Sequence, residues 1–175
     1  MNIRKASLKD CPKIAAIYNM YLGKATLDIE KKPAEYFMDF ISNSTDREAI
    51  FVSEVFGEVK AWGIIKRYSD RGGYRYACET SVYVNEFDRG RGYGKQLKMH
   101  IMSECKRLQY NHLVAKIFST NKHSINYNLK LGYTIVGIQQ NIGRVNGEWV
   151  DIVIMQYLVP QTKTNQVQQD HSVNR

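Results

Sequence analysis

The stretch Ser81–Leu97, SVYVNEFDRGRGYGKQL, constrains the fold of this chain more than any other. It reads as a strand, a short loop, a glycine-rich turn and the start of a helix. Gly90, Gly92 and Gly94 alternate with Arg91 and Tyr93, and Arg89 opens the turn. Glycine lets the backbone take positive φ and lets a ligand approach the main chain closely. A run of N–H groups at a helix N-terminus then favours negative charge, so the segment reads as a pyrophosphate cradle. Two better-known glycine patterns are excluded. G-x-G-x-x-G needs another spacing, and in the P-loop pattern the Gly-Lys pair must be followed by Ser or Thr, whereas Gly94-Lys95 is followed by Gln96. What remains is R-x-x-G-x-G on Arg89, Gly92 and Gly94, which alone is also compatible with a plain glycine-rich surface loop.

The context around this segment predicts a mixed α/β fold. A short strand at Asn2–Ala6 precedes an amphipathic helix over Lys9–Leu22, ended by Gly23, and Pro33 starts a second helix through Ile41. Ile50–Val55 and Val59–Tyr68 read as a hairpin about Phe56-Gly57-Glu58. Ser69–Gly73 is a loop, and Tyr74–Val84 is a long strand running into the glycine turn. Tyr93–Leu108 carries Leu97, Ile101, Cys105 and Leu108 at helical spacing. His112–Phe118 reads as a central strand, Asn121–Leu131 as a loop and short helix stopped by Gly132. Tyr133–Ile142 and Glu148–Leu158 are strands joined across Gly143–Gly147, with the turn dipeptide Asn146-Gly147. This order implies a mixed, mostly antiparallel sheet of about seven strands with helices on both faces, and a parallel strand–helix–strand core at Tyr74–Phe118. A splayed or bulged strand just before the turn would leave backbone groups free for a ligand. The chain reads as a single domain over residues 1–159, and the polar stretch 160–175 as a disordered tail.

Composition narrows the classes of function. With 175 residues, 43% hydrophobic and 24% charged, the chain suits one ordinary soluble domain. It has neither an apolar run of membrane-spanning length nor a signal-like N-terminus. Cys11, Cys78 and Cys105 form no zinc or disulfide pattern, which predicts a cytoplasmic location and no metal. The net charge of +8 permits nucleic acid as a partner, yet also suits a polyanionic cofactor such as coenzyme A. No long basic run or recognised RNA-binding motif accompanies it.

With these elements in place, the chain resembles the GNAT superfamily of acetyl-CoA-dependent N-acetyltransferases over about Ile3–Val159. The resemblance rests on the strand Val82–Val84 followed by Arg89, Gly92 and Gly94. It rests also on Asn121 and Ser124 followed by Leu131-Gly132-Tyr133. Within that superfamily it is similar to the phosphinothricin acetyltransferase group. The shared motifs are Ile17-Tyr18-Asn19, then Arg71, Tyr74 and Glu79 ahead of Ser81-Val82-Tyr83-Val84, and Gly147, Trp149 and Asp151.

The resemblance implies acetyl transfer to the amine of a small amino acid or analogue, such as phosphinothricin or methionine sulfone or sulfoximine, by a homodimer. It implies that Gly90–Lys95 with Arg89 hold the pyrophosphate. Val82, Tyr83 and Val84 would pair with the pantetheine arm, where an ordinary core strand is the alternative reading. Asn121 would bond the arm, where a helix cap is the alternative, with Ser124 beside it. Glu79 would be the general base, where a salt-bridged strand glutamate is the alternative reading. Arg71 and Tyr74 would recognise the substrate, where a loop charge and an ordinary strand tyrosine are the alternatives. Two positions depart from the group. Asn128 stands where a histidine, or elsewhere a tyrosine proposed as general acid, is common, so either water protonates the thiolate or the substrate differs from the herbicide-like one. Val145 stands where a lysine is common, with Arg144 beside it. The competing readings are a peptide N-terminus or a polyamine as acceptor, and a non-catalytic CoA- or RNA-binding module.

Overall fold

The computed structural model describes residues 1–160, so the stretch expected to be a disordered tail lies, past its first residue, outside the described residues. Seven strands form one sheet in the order β1-β2-β3-β4-β5-β7-β6. They are β1 Asn2–Lys5, β2 Ala49–Val55, β3 Glu58–Arg67, β4 Ala77–Val84, β5 His112–Phe118, β6 Thr134–Val145 and β7 Glu148–Leu158. The helices are α1 Cys11–Asn19, α2 Ala34–Asn43, α3 Tyr93–Arg107 and α4 Lys122–Lys130. Every neighbouring pair of strands is antiparallel except β4 and β5, joined in parallel through α3.

The two-residue alternation of side chains sorts the sheet into two cores. Ala49 and Phe51 of β2 join Leu97, Ile101 and Cys105 of α3 and Ile125 of α4 on one face. Ile50 and Val52 join Ile14, Ile17 and Tyr18 of α1 and Phe37 of α2 on the other. The helical spacing of Leu97, Ile101 and Cys105 is what lets all three be fully buried. Helices therefore lie on both faces, as expected.

Of the boundaries that differ from expectation, three have a clear local reason. The first helix stops at Asn19 rather than Leu22. There the Asn19 side chain turns outward from the helix, donating to Lys32 O and accepting from Lys32 N–H, both at 2.9 Å. Strand β4 starts at Ala77 rather than Tyr74, because Gly72–Tyr74 forms one 3-10 turn. Strand β6 runs on to Val145, past two irregularities in its pairing with β7. The hairpin is closed only by Asn146 and Gly147, both at positive φ (51° and 84°), as a two-residue type I′ turn requires.

The feature that shapes the molecule is the separation of β4 from β5. Their ladder consists of Ala77↔His112, Cys78↔Leu113 and Glu79↔Val114. Beyond Glu79 both strands continue, β4 paired with β3 as far as Val84 and β5 paired with β7 as far as Phe118. Thr80–Val84 thus presents one edge that is not bridged to β5 among the described residues.

Candidate functional site

The open edge of β4 leads into the glycine turn. A 3-10 turn at Glu86–Asp88, capped by Asn85 Oδ1 accepting from Phe87 N–H, redirects the chain. Gly92 then caps α3 with φ of 82°, a left-handed conformation that costs glycine nothing. At Gly94 the requirement is space, since a Cβ there would lie 2.8 Å from Val84 Cγ2. The first capping bond runs from Gln96 N–H to Gly92 O at 3.1 Å. The N–H groups of Tyr93, Gly94 and Lys95 therefore precede the helical ladder and point out of the helix start. Positive charge surrounds them. Arg89 lies over the Tyr21 ring, 5.1 Å from its centroid, and exposed Arg91 stands 3.6 Å from Asp88. The Tyr21 hydroxyl donates to Val84 O, tying α1's end to the rim of the turn.

Asn121 and Ser124 sit at the start of α4. Asn121 Oδ1 accepts from Ser124 N–H at 3.1 Å, so the residue caps the helix and keeps its amide Nδ2 as a donor. Asn128, one turn on, is buried. Its Nδ2 donates to Ser124 O at 2.8 Å, and its Oδ1 is buried with no partner among the described residues. An amide cannot deliver a proton there. Neighbouring Tyr127 points elsewhere, its hydroxyl donating to Lys95 O at 3.4 Å, and burial pushes its phenol up to about 12.

On the sheet face that carries α1 and α2 lies a cavity of about 590 Å³. Glu79, Ser81 and Tyr83 of β4 line it, every second residue of one strand, facing Val114, Lys116 and Phe118 of β5. Ile152 and Ile154 of β7 form the far wall, and Ala25, Thr26 and Leu27 belong to the loop after α1. That loop is held by the Ile17-Tyr18-Asn19 segment. The Tyr18 hydroxyl meets Thr26 Oγ1 at 2.7 Å and Asp28 Oδ2, while Asn19 clamps Lys32. Tyr83 stacks on Trp62 with 4.7 Å between centroids, and burial raises its phenol's pKa.

Glu79 is at the mouth of the strand separation and inside this cavity. Its Oε2 accepts from Lys116 Nζ at 2.8 Å, with 27% of the Glu79 side chain exposed. Arg71 and Tyr74 do not line the cavity. Tyr74, half exposed, sits against Tyr68 (5.4 Å between centroids), and Tyr68 is a lining residue. Arg71, also exposed, immediately precedes the same 3-10 turn. Arg144, next to Val145, donates to Gly147 O and lies over Trp149, which keeps it in the β6–β7 hairpin.

Two residues escaped the reading of the sequence. Lys116 is a charged residue in the middle of an otherwise apolar strand, the same signal that singled out Glu79. Lys98 occupies the buried face of α3, where helical spacing alone would predict an apolar residue. It is almost fully buried, donates to Thr80 Oγ1 at 2.9 Å and stands 4.7 Å from the Tyr133 ring centroid. Burial pushes its pKa down to about 8. Among the described residues no helix is long and apolar enough to cross a membrane.

Known proteins share this architecture. Residues 3–154 match the family model described as the acetyltransferase (GNAT) domain. The L-methionine sulfoximine/L-methionine sulfone acetyltransferase of Pseudomonas aeruginosa is 30% identical over 167 residues, 93% of this chain and 97% of that protein. The structure of yncA from Salmonella typhimurium, solved with its cofactor acetyl-CoA, has a TM-score of 0.87 at 27% identity, covering 95% of this chain and 98% of that one. The ribosomal-protein-alanine N-acetyltransferase of Brucella melitensis also has a TM-score of 0.87 at 27% identity, covering 91% and 100%. With the separated β4 and β5, the glycine turn at the start of α3 and a family match over most of its length, the chain belongs to the GNAT family of acetyltransferases.

Proposed function

We propose that the protein transfers acetyl from acetyl-CoA to the amine of a small amino acid or amino-acid analogue of the methionine sulfone, methionine sulfoximine or phosphinothricin type. The observation that carries this reading is Glu79, lining a cavity at the point where β4 leaves β5.

The residues present fit the donor. The N–H groups at the start of α3, over Gly90–Lys95, bind the pyrophosphate, and Arg89 and Arg91 add charge. The open edge of Val82, Tyr83 and Val84 accepts the pantetheine arm as a further strand would pair. The Nδ2 of Asn121 donates to that arm, and Ser124 lies one turn along α4. Bound acetyl-CoA supplies a thioester, an acyl group activated toward attack by an amine.

The acceptor's ammonium must lose a proton before it attacks. Glu79 takes it, directly or through one water. A main-chain N–H on the free edge of β4 holds the carbonyl oxygen as negative charge grows there. Bringing amine and thioester into line supplies much of the acceleration, up to roughly 7–11 kcal/mol for ideal orientation. Asn128 cannot act as an acid, so water protonates the departing thiolate. Arg71 and Tyr74 stand outside the lining beyond Tyr68, where the guanidinium draws an anionic acceptor to the entrance. The protein acts in the cytoplasm as a homodimer, with nucleic acid no part of its role. The exposed Ile135, Val136 and Ile138 on edge strand β6 support the pairing of two copies.

The Brucella relative, a ribosomal-protein-alanine N-acetyltransferase, keeps a peptide acceptor in view. Mass spectrometry after incubation with acetyl-CoA and a panel of acceptors separates the readings. The panel holds methionine sulfone, methionine sulfoximine, phosphinothricin, free amino acids, spermidine and an alanine-starting peptide. N-acetylated amino acids are expected. Acetylation of the peptide or spermidine alone would overturn the acceptor class, and failure of acetyl-CoA to bind in calorimetry would overturn the donor site.

A further inference from the structure

Of the residues that line the cavity, only Glu79 and Lys116 carry a formal charge, and they are opposite in sign. Lys116 lies two residues beyond Val114, the last β5 residue bridged to β4, so its side chain rises on the same face as Glu79 just past the fork of the strands. Its stem stands beside Phe118 on its own strand and across from Ile154 of β7. Its ammonium contacts Glu79 at 2.8 Å and lies 6.0 Å from the Tyr68 ring centroid.

The pair is not sealed. The Lys116 side chain is 45% exposed and that of Glu79 27%. An ion pair so wet contributes little to stability, so a ligand can separate it at small cost. An α-amino acid carries an ammonium and a carboxylate on one carbon. Placed in this cavity it exchanges one ion pair for two, its ammonium on Glu79 and its carboxylate on Lys116. The remaining walls are mainly apolar, with Leu27, Val114, Phe118 and Ile152 among them, joined by the neutral polar groups of Thr26, Ser81 and Gln139. They offer the rest of the acceptor surfaces to pack on.

We propose that Lys116 is the carboxylate anchor of the acceptor site and selects free α-amino acids over amines that lack an adjacent carboxylate. The assignment rests on Glu79 being the base, as above. It predicts rejection of a peptide N-terminus, whose neighbouring carbonyl is a neutral amide, and of a polyamine, which would bring cations against the ammonium. The anchor stays attached throughout and takes no part in bond making.

The test compares kcat/KM for L-methionine sulfone with that for its carboxamide, in wild type and in K116M and K116R. Losing the partner of Glu79 would by itself lower both acceptors alike, so the ratio of the two isolates the carboxylate contact. Wild type is expected to favour the free acid at least tenfold. K116M should bring that ratio near one, mainly through a higher KM for the acid, and K116R should restore most of it. Thermal melts establish that each variant is folded. A K116M that turns over with an unchanged ratio, or a wild type indifferent to the carboxylate, overturns the anchor and leaves the base standing. Absence of acetylation of either acceptor by wild type overturns the amino-acid reading, and the anchor falls with it.

Discussion

Lys98 shows how much one side chain can disclose. A lysine within the core of α3 is held by one hydroxyl and one ring, Thr80 and Tyr133, and pairs with no carboxylate among the described residues. Burial disfavours its charged form and pushes its pKa to about 8 from 10.5. The unfolded chain therefore binds this proton more tightly than the folded one. Stability from this group is complete above about pH 10.5 and is lost as pH falls through 8. K98M, similar in length and uncharged, is expected to stabilise the protein at pH 7 by on the order of 1–3 kcal/mol. Urea melts at pH 7, 8, 9 and 10 check this: the rise of wild-type stability across that window should flatten in the variant. A parallel rise in both would show that Lys98 does not cause it.

At the scale of elements, function depends on where strands part and where a helix begins. Gly94 lies against Val84 on the edge proposed to hold the pantetheine arm, with no room for a Cβ. G94V is expected to raise the KM for acetyl-CoA about tenfold or more and to cost roughly 1–3 kcal/mol through overpacking. Steady-state kinetics and a thermal melt read the two effects separately. The loop after α1 makes a second case. Asn19 stands in for a strand partner by giving and taking a hydrogen bond with the Lys32 backbone, and so holds Thr26 and Leu27 over the cavity. N19A is expected to cost about 1–3 kcal/mol, as two backbone groups lose their partner. It should also raise the KM for the acceptor more than that for acetyl-CoA. Equal changes in both would place the loop's role elsewhere.

For the whole molecule, the titrating groups predict a stability optimum. Asp10, bound by Arg4 and Ser7, is held well below the usual carboxylate range, so its contribution is lost as the solution becomes strongly acidic. Lys98 removes stability progressively as pH falls from about 10.5 through 8. The buried phenols of Tyr18, Tyr83 and Tyr133 are shifted upward, so their contribution is present below pH 10 and declines above it as the unfolded chain ionises. Thermal midpoints across pH 4–11 should therefore peak between about 8 and 10; a maximum at pH 6 would contradict this account.

Much of this whole was legible beforehand, because strand and helix periods and the Asn146-Gly147 turn are local signals. The glycine turn was legible too, since its residues are adjacent in the chain. What was not legible depends on packing between distant segments. The Glu79–Lys116 pair joins residues 37 apart in sequence. The end of α1 is decided by Asn19 reaching Lys32, and the position of Tyr74 outside the cavity by a 3-10 turn at Gly72-Gly73 rather than by strand alternation.

The central claim is that Glu79, at the fork of β4 and β5, removes the proton from an amino-acid amine beside acetyl-CoA. The most direct measurement is release of the CoA thiol with L-methionine sulfone as acceptor, for wild type and E79Q at equal acetyl-CoA saturation. The account predicts saturable release matched one for one by N-acetyl product, with kcat/KM lowered about 10²-fold or more in E79Q. Glutamine keeps the shape and loses the base, so acetyl-CoA should bind both proteins alike. Equal turnover by E79Q and wild type would contradict the assignment.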